Sequence, residues 1–280
     1  SFAHSLFKPT SHTPRRRARL ALGIASGEGL ELSHHDEPDM RTPSLALHGW
    51  DWWHSIGSPR TVCAPMVDQS EKAFRMLCRE LGTTLAYTPM MHARLFTEVP
   101  EYRRLHFDPE PSDTPLIGQA RAAAARSTHA LTSTPVITTL SLAAQLAGHD
   151  PEIVLKAARM IEDQVDAVDL NFGCPQGIAR KGRYGAFLLD EPDVMVSLVS
   201  TLSRGLSVPV TAKLRLLPSR PASLELLRRL EDAGASVLTL HGRTRDQNKQ
   251  YCGAADWGAI REAVSQSVSQ SVSQSVSQSV

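Results

Sequence analysis

The chain has 280 residues, 41% hydrophobic and 21% charged, a globular composition that excludes wholesale disorder. Its 30 basic residues against 29 acidic ones leave a net charge of +1, so no global field marks a nucleic-acid binder and any RNA contact must come from a local patch. The four cysteines (Cys63, Cys78, Cys174, Cys252) form no CxxC pair, which argues against a zinc site or disulfide framework and fits a reducing compartment, and no run of 18 apolar residues offers a membrane span.

In chain order, residues 1–45 carry Arg15-Arg16-Arg17 and many Ser, His and Pro with little periodicity, so a disordered extension is predicted. An Arg- and Ser-rich start also has the character of an organelle transit peptide, although Glu28, Glu31, Asp36, Glu37 and Asp39 are residues such peptides avoid. The chain starts at Ser1 and not Met, as a fragment does. Residues 46–263 alternate short apolar runs with amphipathic stretches. Strands are predicted at 61–66, 84–88, 135–140, 166–171, 208–214 and 236–241. Helices are predicted at 70–81, 151–164, 192–203, 222–233 and from 256 to 263. Ser70 is a candidate cap for the first helix, with Phe74, Leu77 and Cys78 on its buried face. Asp150-Pro151 opens the second, and Gly234 closes the fourth. Strand–helix alternation at this spacing implies parallel strands with right-handed crossovers. Residues 107–134 break the rhythm as an inserted helix or loop. From Val264 a strict Val-Ser-Gln-Ser repeat runs to Val280, uncharged and without aromatics, and a disordered tail is predicted at 264–280.

In a parallel α/β barrel the chemistry sits at the C-terminal ends of the strands. Polar or reactive residues recur there: Asp68, His92, Gln145, Asn171 with Cys174, Lys213 with Arg215, and His241 with Arg243. Cys174 lies in Asn-x-Gly-Cys-Pro, a turn just past a strand, which favours a working thiol, as nucleophile or general acid, over a buried small hydrophobe. Lys213 stands in an apolar strand, where an inward ammonium needs an anionic or electron-rich partner. His241 on the neighbouring strand, alone a candidate core histidine, completes a pocket with Lys213 for a phosphorylated or flavin ring system. The segment Arg180-Lys181-Gly182-Arg183-Tyr184-Gly185-Ala186 reads as a glycine-rich basic loop suited to phosphate or RNA backbone, with Tyr184 as a stacking surface.

These pieces resemble the tRNA-dihydrouridine synthase family. The resemblance rests on Ala-Pro-Met-Val-Asp-Gln-Ser at 64–70, Tyr-Thr-Pro-Met-Met-His-Ala at 87–93 and Ala-Gln-Leu-Ala-Gly-His-Asp-Pro-Glu at 144–152. It continues with Asp-Leu-Asn-Phe-Gly-Cys-Pro-Gln at 169–176, Gly-Arg-Tyr-Gly-Ala-Phe-Leu-Leu at 182–189, Lys-Leu-Arg at 213–215 and Leu-His-Gly-Arg-Thr at 240–244. The forms around His92 and Cys174 look like the eukaryotic branch acting on uridines on the 5′ side of the tRNA D-loop. The resemblance implies a TIM (β/α)8-type barrel that binds FMN, takes reducing equivalents from NADPH and reduces the C5–C6 double bond of a uracil extruded from tRNA. It implies Cys174 as the proton donor to C5 and Pro65, Met66 and Val67 lining the flavin. Gln145 would meet the isoalloxazine edge, with Gln119 as a rival, and Lys213 and His241 would contact the flavin and its ribityl-phosphate side. Asn171 and Arg215 would lie near the base. A cytoplasmic or nuclear monomer is expected, with tRNA as partner and no membrane or metal.

The family pattern continues with a seventh strand ending in Asn-Gly, an eighth with a glycine-rich turn, both holding the FMN phosphate, and then a helical tRNA-binding domain. Val-Ser-Gln-Ser repeats stand in their place here. The expectation is therefore an incomplete α/β barrel of about six strands with open edges, weak folding and poor FMN retention. Two other readings remain open: an inactive RNA-binding fragment, and another FMN barrel acting on free pyrimidines.

Overall fold

The computed structural model describes residues 7–9, 47–107 and 141–276. The strands are β1 (Phe7–Pro9), β2 (Val62–Cys63), β3 (Leu85–Tyr87), β4 (Met91–His92), β5 (Ser141–Ala147), β6 (Ala167–Phe172), β7 (Val210–Leu216) and β8 (Val237–Thr244). The helices are α1 (Gly49–Ser55), α2 (Lys72–Glu80), α3 (Ala93–Glu98), α4 (Pro100–His106), α5 (Pro151–Arg159), α6 (Gly177–Lys181), α7 (Pro192–Gly205), α8 (Arg220–Asp232) and α9 (Trp257–Val276).

Six strands form the expected parallel sheet in the order β8-β7-β6-β5-β3-β2, and the two-residue β4 also pairs parallel with β5. Among the described residues the sheet does not close into a complete barrel: β2 ends the path on one side and β1 on the other. Alternation decides the two faces. Leu142, Ala144, Leu146, Val168, Leu170, Phe172, Val210, Ala212 and Leu214 point outward into one core shared with α5, α7 and α8. Ala143, Gln145, Asp169, Asn171, Thr211 and Lys213 have the opposite parity and line the concave side.

Helix starts follow local chemistry. Asp150 caps α5, accepting from the backbone N–H groups of Glu152 and Ile153 at 3.0 and 3.3 Å, with Pro151 in the first turn, as the sequence predicts. Gly234 sits at φ +107° just past α8, where a Cβ would lie 2.5 Å from Ser203 Oγ, so this position requires glycine.

Three expectations are corrected. First, Gln145 lies inside β5 and not after a strand at 135–140. That segment and the insertion, apart from Phe107, lie outside the described residues. Second, the predicted face of α2 holds only at Cys78, which packs partly buried against the core: Phe74 and Leu77 are exposed, whereas Arg75 and Arg79 are buried. Their guanidinium groups satisfy backbone carbonyls at the sheet end, Arg75 donating to Ser70 O and Arg79 to Thr84 O and Ser141 O. Third, Ser70 is not the cap. Its hydroxyl closes the preceding turn on Met66, accepting from the N–H at 2.8 Å and donating to the carbonyl at 3.0 Å.

Residues 7–9 form β1, which pairs antiparallel with Val237–Thr239 on the outer edge of β8. An exposed edge strand offers unpaired backbone groups, and a short partner strand satisfies them. Helix α9 runs from Trp257 into the repeat as far as Val276. The repeat contains neither Gly nor Pro to stop a helix, so the ladder started at Trp257 propagates one hydrogen bond at a time.

One element escapes the sequence reading altogether. Helix α1, Gly-Trp-Asp-Trp-Trp-His-Ser, drives Trp52 and Trp53 against Leu85, Tyr87, Ala143, Ala167 and Val237, the residues at the N-terminal end of the concave face. The two indoles meet edge to face, centroids 6.4 Å apart. The sheet is thus plugged from below, and its open end is the one carrying Cys174. No helix among the described residues is long and apolar enough to cross a membrane.

Candidate active site

Strand register stacks the inward side chains in layers. Gln145, Asp169 and Thr211 are paired neighbours on β5, β6 and β7; one layer higher Asn171 pairs with Lys213, and above that Arg215 pairs with His241. Residues paired in a parallel sheet point to the same face, so the polar residues singled out on four strands converge.

The lowest layer is a closed hydrogen-bond network. Thr211 Oγ1 and Gln145 Nε2 both donate to the Asp169 carboxylate, at 2.5 and 2.6 Å. All three residues are completely buried. Burial pushes the Asp169 carboxyl up to about 6, against the opposing pull of the Gln145 and Thr211 hydrogen bonds and the Lys213 charge. Gln145 Oε1 accepts from Asn171 Nδ2 at 2.7 Å. Asn171 Oδ1 in turn accepts the backbone N–H groups of Gly173 and Cys174 at 3.1 and 3.0 Å, an Asx turn that sets the chain direction after β6.

The Cys174 turn is braced from two further sides. Arg215 Nε donates to Gly173 O at 2.8 Å, and its Nη1 reaches Thr244 O and Gln247 O. The Cys174 carbonyl accepts the Ala186 N–H at 2.9 Å. Gly185 lies directly against the turn at φ +67°: a Cβ there would stand 2.6 Å from Cys174 O and 2.9 Å from Cys174 Cβ. This explains the Gly-Ala block better than a phosphate cradle does, because the glycine is needed for close backbone approach. The loop expectation for 180–186 is corrected accordingly. Residues to Lys181 belong to α6, a 3₁₀ turn runs over Gly185–Asp190, and Arg183 pairs with Glu191 at 2.8 Å. Tyr184 is buried with its ring edge-on to His92, centroids 5.2 Å apart, so it offers no surface for a stacking base.

A prediction follows from that packing. Gly185→Ala must hold a left-handed backbone with a methyl against the Cys174 carbonyl, and a loss of about 1–3 kcal/mol is expected. Gly177→Ala, where nothing lies within 4 Å of the added Cβ, should stay within about 0.5 kcal/mol of the parent. Denaturant melts of the two variants check the contrast, and equal midpoints would overturn the packing role.

The upper layers form a cationic mouth. Lys213 is held below its ordinary value by burial, partly restored by Asp169 and lowered further by Arg215. Burial, aided by Lys213, Arg215 and Arg243, pushes His241 down to about 3, so the imidazole is neutral. Its Nε2 lies 3.2 Å from Arg243 Nη1. Just past β2, the strand at the other edge of the sheet, Pro65 and Met66 are half-buried and Val67 is exposed.

Gln145, Asn171, Cys174, Lys213, Arg215 and His241 fall on this face or its rim; Pro65, Met66 and Val67 follow β2 at the sheet's other edge, and Gln119 lies outside the described residues. The geometry also refines them. Gln145 directs both ends of its amide to protein partners, and Asn171 and Arg215 first of all hold the Cys174 turn. Asp169 and Thr211 were missed as site residues, although strand parity with Asn171 and Lys213 signals them: both are polar residues two positions earlier in otherwise apolar runs.

A family model described as Dihydrouridine synthase (Dus) matches residues 62–274. The chain is 41% identical over 220 residues to a tRNA-dihydrouridine(16/17) synthase [NAD(P)(+)] of Schizosaccharomyces pombe, covering 78% of this chain and 49% of that protein. It is 43% identical over 218 residues to the protein of the same name from Saccharomyces cerevisiae, covering 77% and 45%. It is 32% identical over 205 residues to tRNA-dihydrouridine synthase B of Escherichia coli, covering 72% and 55%. The chain thus spans about half the length of these relatives.

Proposed function

Since the chain belongs to the dihydrouridine synthase family, we propose that it carries the catalytic part of a tRNA-dihydrouridine synthase that uses FMN and NADPH and acts on D-loop uridines. The observation that carries the reading is the convergence of Cys174, on a turn fixed by Asn171, Arg215 and Gly185, with the Lys213–Arg215–His241 layers at the open end of the sheet. The branch is supported by the relatives named for positions 16/17.

The residues present fit the flavin and its ribityl-phosphate side. Lys213, Arg215 and Arg243 supply cationic hydrogen-bond donors, the neutral His241 adds a hydrogen-bonding edge without adding charge, and Pro65, Met66 and Val67, after β2, offer apolar surface for the ring. FMN, when bound, would supply the hydride equivalent to C6 of the uracil. Hydride addition at C6 leaves carbanion character at C5, which needs a proton. Cys174 Sγ donates that proton, and the Asx turn under it fixes where the thiol stands. Lys213, paired across the strands with Asn171, keeps positive charge beside the reacting system. The uracil must leave its stack to enter, at a cost of a few kcal/mol. Four cysteines free of disulfides suit a reducing compartment, the cytoplasm or nucleus.

The test is spectroscopic. The purified chain titrated with FMN should perturb the flavin spectrum to saturation. That spectrum should bleach with NADPH and recover with tRNA lacking dihydrouridine. Absence of flavin binding, or bleaching that only oxygen reverses, would overturn the reading.

A further inference from the structure

We propose that Asp169 is a positioning residue for Cys174: its buried carboxylate sets the direction of the two side-chain amides that hold the cysteine's turn. The catalytic meaning of this rests on the function proposed above, while the geometry stands without it. The argument is one of hydrogen-bond polarity. A carboxylate only accepts. Asp169 therefore takes the Nε2 end of Gln145, which leaves Oε1 facing Asn171. Asn171 must then present Nδ2 to Gln145, which turns its Oδ1 toward the Gly173 and Cys174 N–H groups. Each amide has two ends of nearly equal shape, so sterics alone do not choose between the orientations. Reversing the chain would point the Asn171 amide N–H₂ at two backbone N–H donors. Thr211, donating at 2.5 Å, fixes the far side of the carboxylate and leaves Gln145 the other oxygen.

The charge is retained in an unfavourable place. Burial alone opposes ionisation, and the charged groups facing Asp169 are Lys213 from β7, which favours it, and Tyr87 from β3, whose own ionisation is suppressed. An uncharged amide at position 169 fits the same space but both donates and accepts, so it no longer dictates direction.

The experiment is residue-resolved hydrogen exchange of the Gly173 and Cys174 amides in the full chain. Asp169→Asn should speed their exchange by about tenfold relative to the unaltered chain, the scale of one lost hydrogen bond, with the exchange of β6 and β7 unchanged. Adding Gln145→Glu should restore protection, because the carboxylate on residue 145 again accepts Nδ2 of Asn171. A residue that merely fills space predicts no effect from the isosteric change and no rescue, and that result would overturn the inference. Where Asp169→Asn does not fold, the unaltered chain still decides. Protection of these two amides, corrected for intrinsic rates, should fall between pH 8 and pH 5 as Asp169 takes up a proton near 6, and a flat profile refutes the proposal. Loss of flavin or tRNA chemistry with the exchange coupling intact would refute the proposed function and leave this inference standing.

Discussion

Cys174→Ala, made in a full-length version and resting on the proposed function, is expected to lower dihydrouridine formation by roughly two to four orders of magnitude, the usual contribution of a positioned acid, while FMN binding is unchanged. The separation follows from the geometry. The thiol is the only part of residue 174 removed, whereas the turn is held through backbone groups: its N–H by Asn171 Oδ1, its carbonyl by the Ala186 N–H, and the neighbouring Gly173 carbonyl by Arg215. An alanine keeps all three. The cationic layers formed by Lys213 and Arg215 stay in place, and the flavin should still bleach with NADPH. Dihydrouridine measured in tRNA after a single turnover is the readout. Product formed at the parental rate would remove Cys174 as the proton donor, and loss of flavin together with product would assign it a binding role instead.

Trp52→Ala is expected to cost about 3–5 kcal/mol of folding stability, the range for emptying a buried aromatic site. The residue is 5% exposed and touches a cluster drawn from β3, β5, β6 and β8, so the cavity would open beneath four strands at once. A partly open sheet has few alternative side chains to close over such a void. Chemical denaturation reads the change as a lower midpoint at constant slope, and Trp52→Phe should recover part of it. A loss below about 1 kcal/mol would mean that α1 rests on the sheet without filling it.

The parallel sheet was legible because its strands are short apolar runs separated by capped helices. Asp150-Pro151 and Gly234 carry their signals in one or two residues, and five of the six predicted core strands appear within a few positions. The rim of the site was legible for the same reason, since strand ends are where polar residues interrupt apolar ones. What failed has physical causes too. Helix α2 keeps only Cys78 of its expected buried face because Arg75 and Arg79 answer carbonyls at Ser70, Thr84 and Ser141, which periodicity cannot anticipate. Tyr184 and Gly185 look like parts of a solvated basic loop until the chain returns them against His92 and Cys174. Asp169 is invisible as a functional group to a reading that searches beyond strand ends, because its role lies in what it accepts, deep in the middle of β6. Helix α1 has three tryptophans in four residues, yet their burial depends on five residues spread from position 85 to 237.

The neutral His241 has a consequence for how the mouth responds to acid. A histidine lining an anion site ordinarily gains charge as pH falls through 6.5 and tightens its hold on a phosphate. Here the imidazole stays uncharged down to about 3, because burial strips it of water and Lys213, Arg215 and Arg243 add positive charge around it. The imidazole therefore adds nothing to the pull on a phosphate monoester in weak acid. The phosphate itself loses its second charge near pH 6. Between neutral and mildly acidic conditions this imidazole holds its state, and the charges that change are those of the ligand and of the buried Asp169 beneath Lys213.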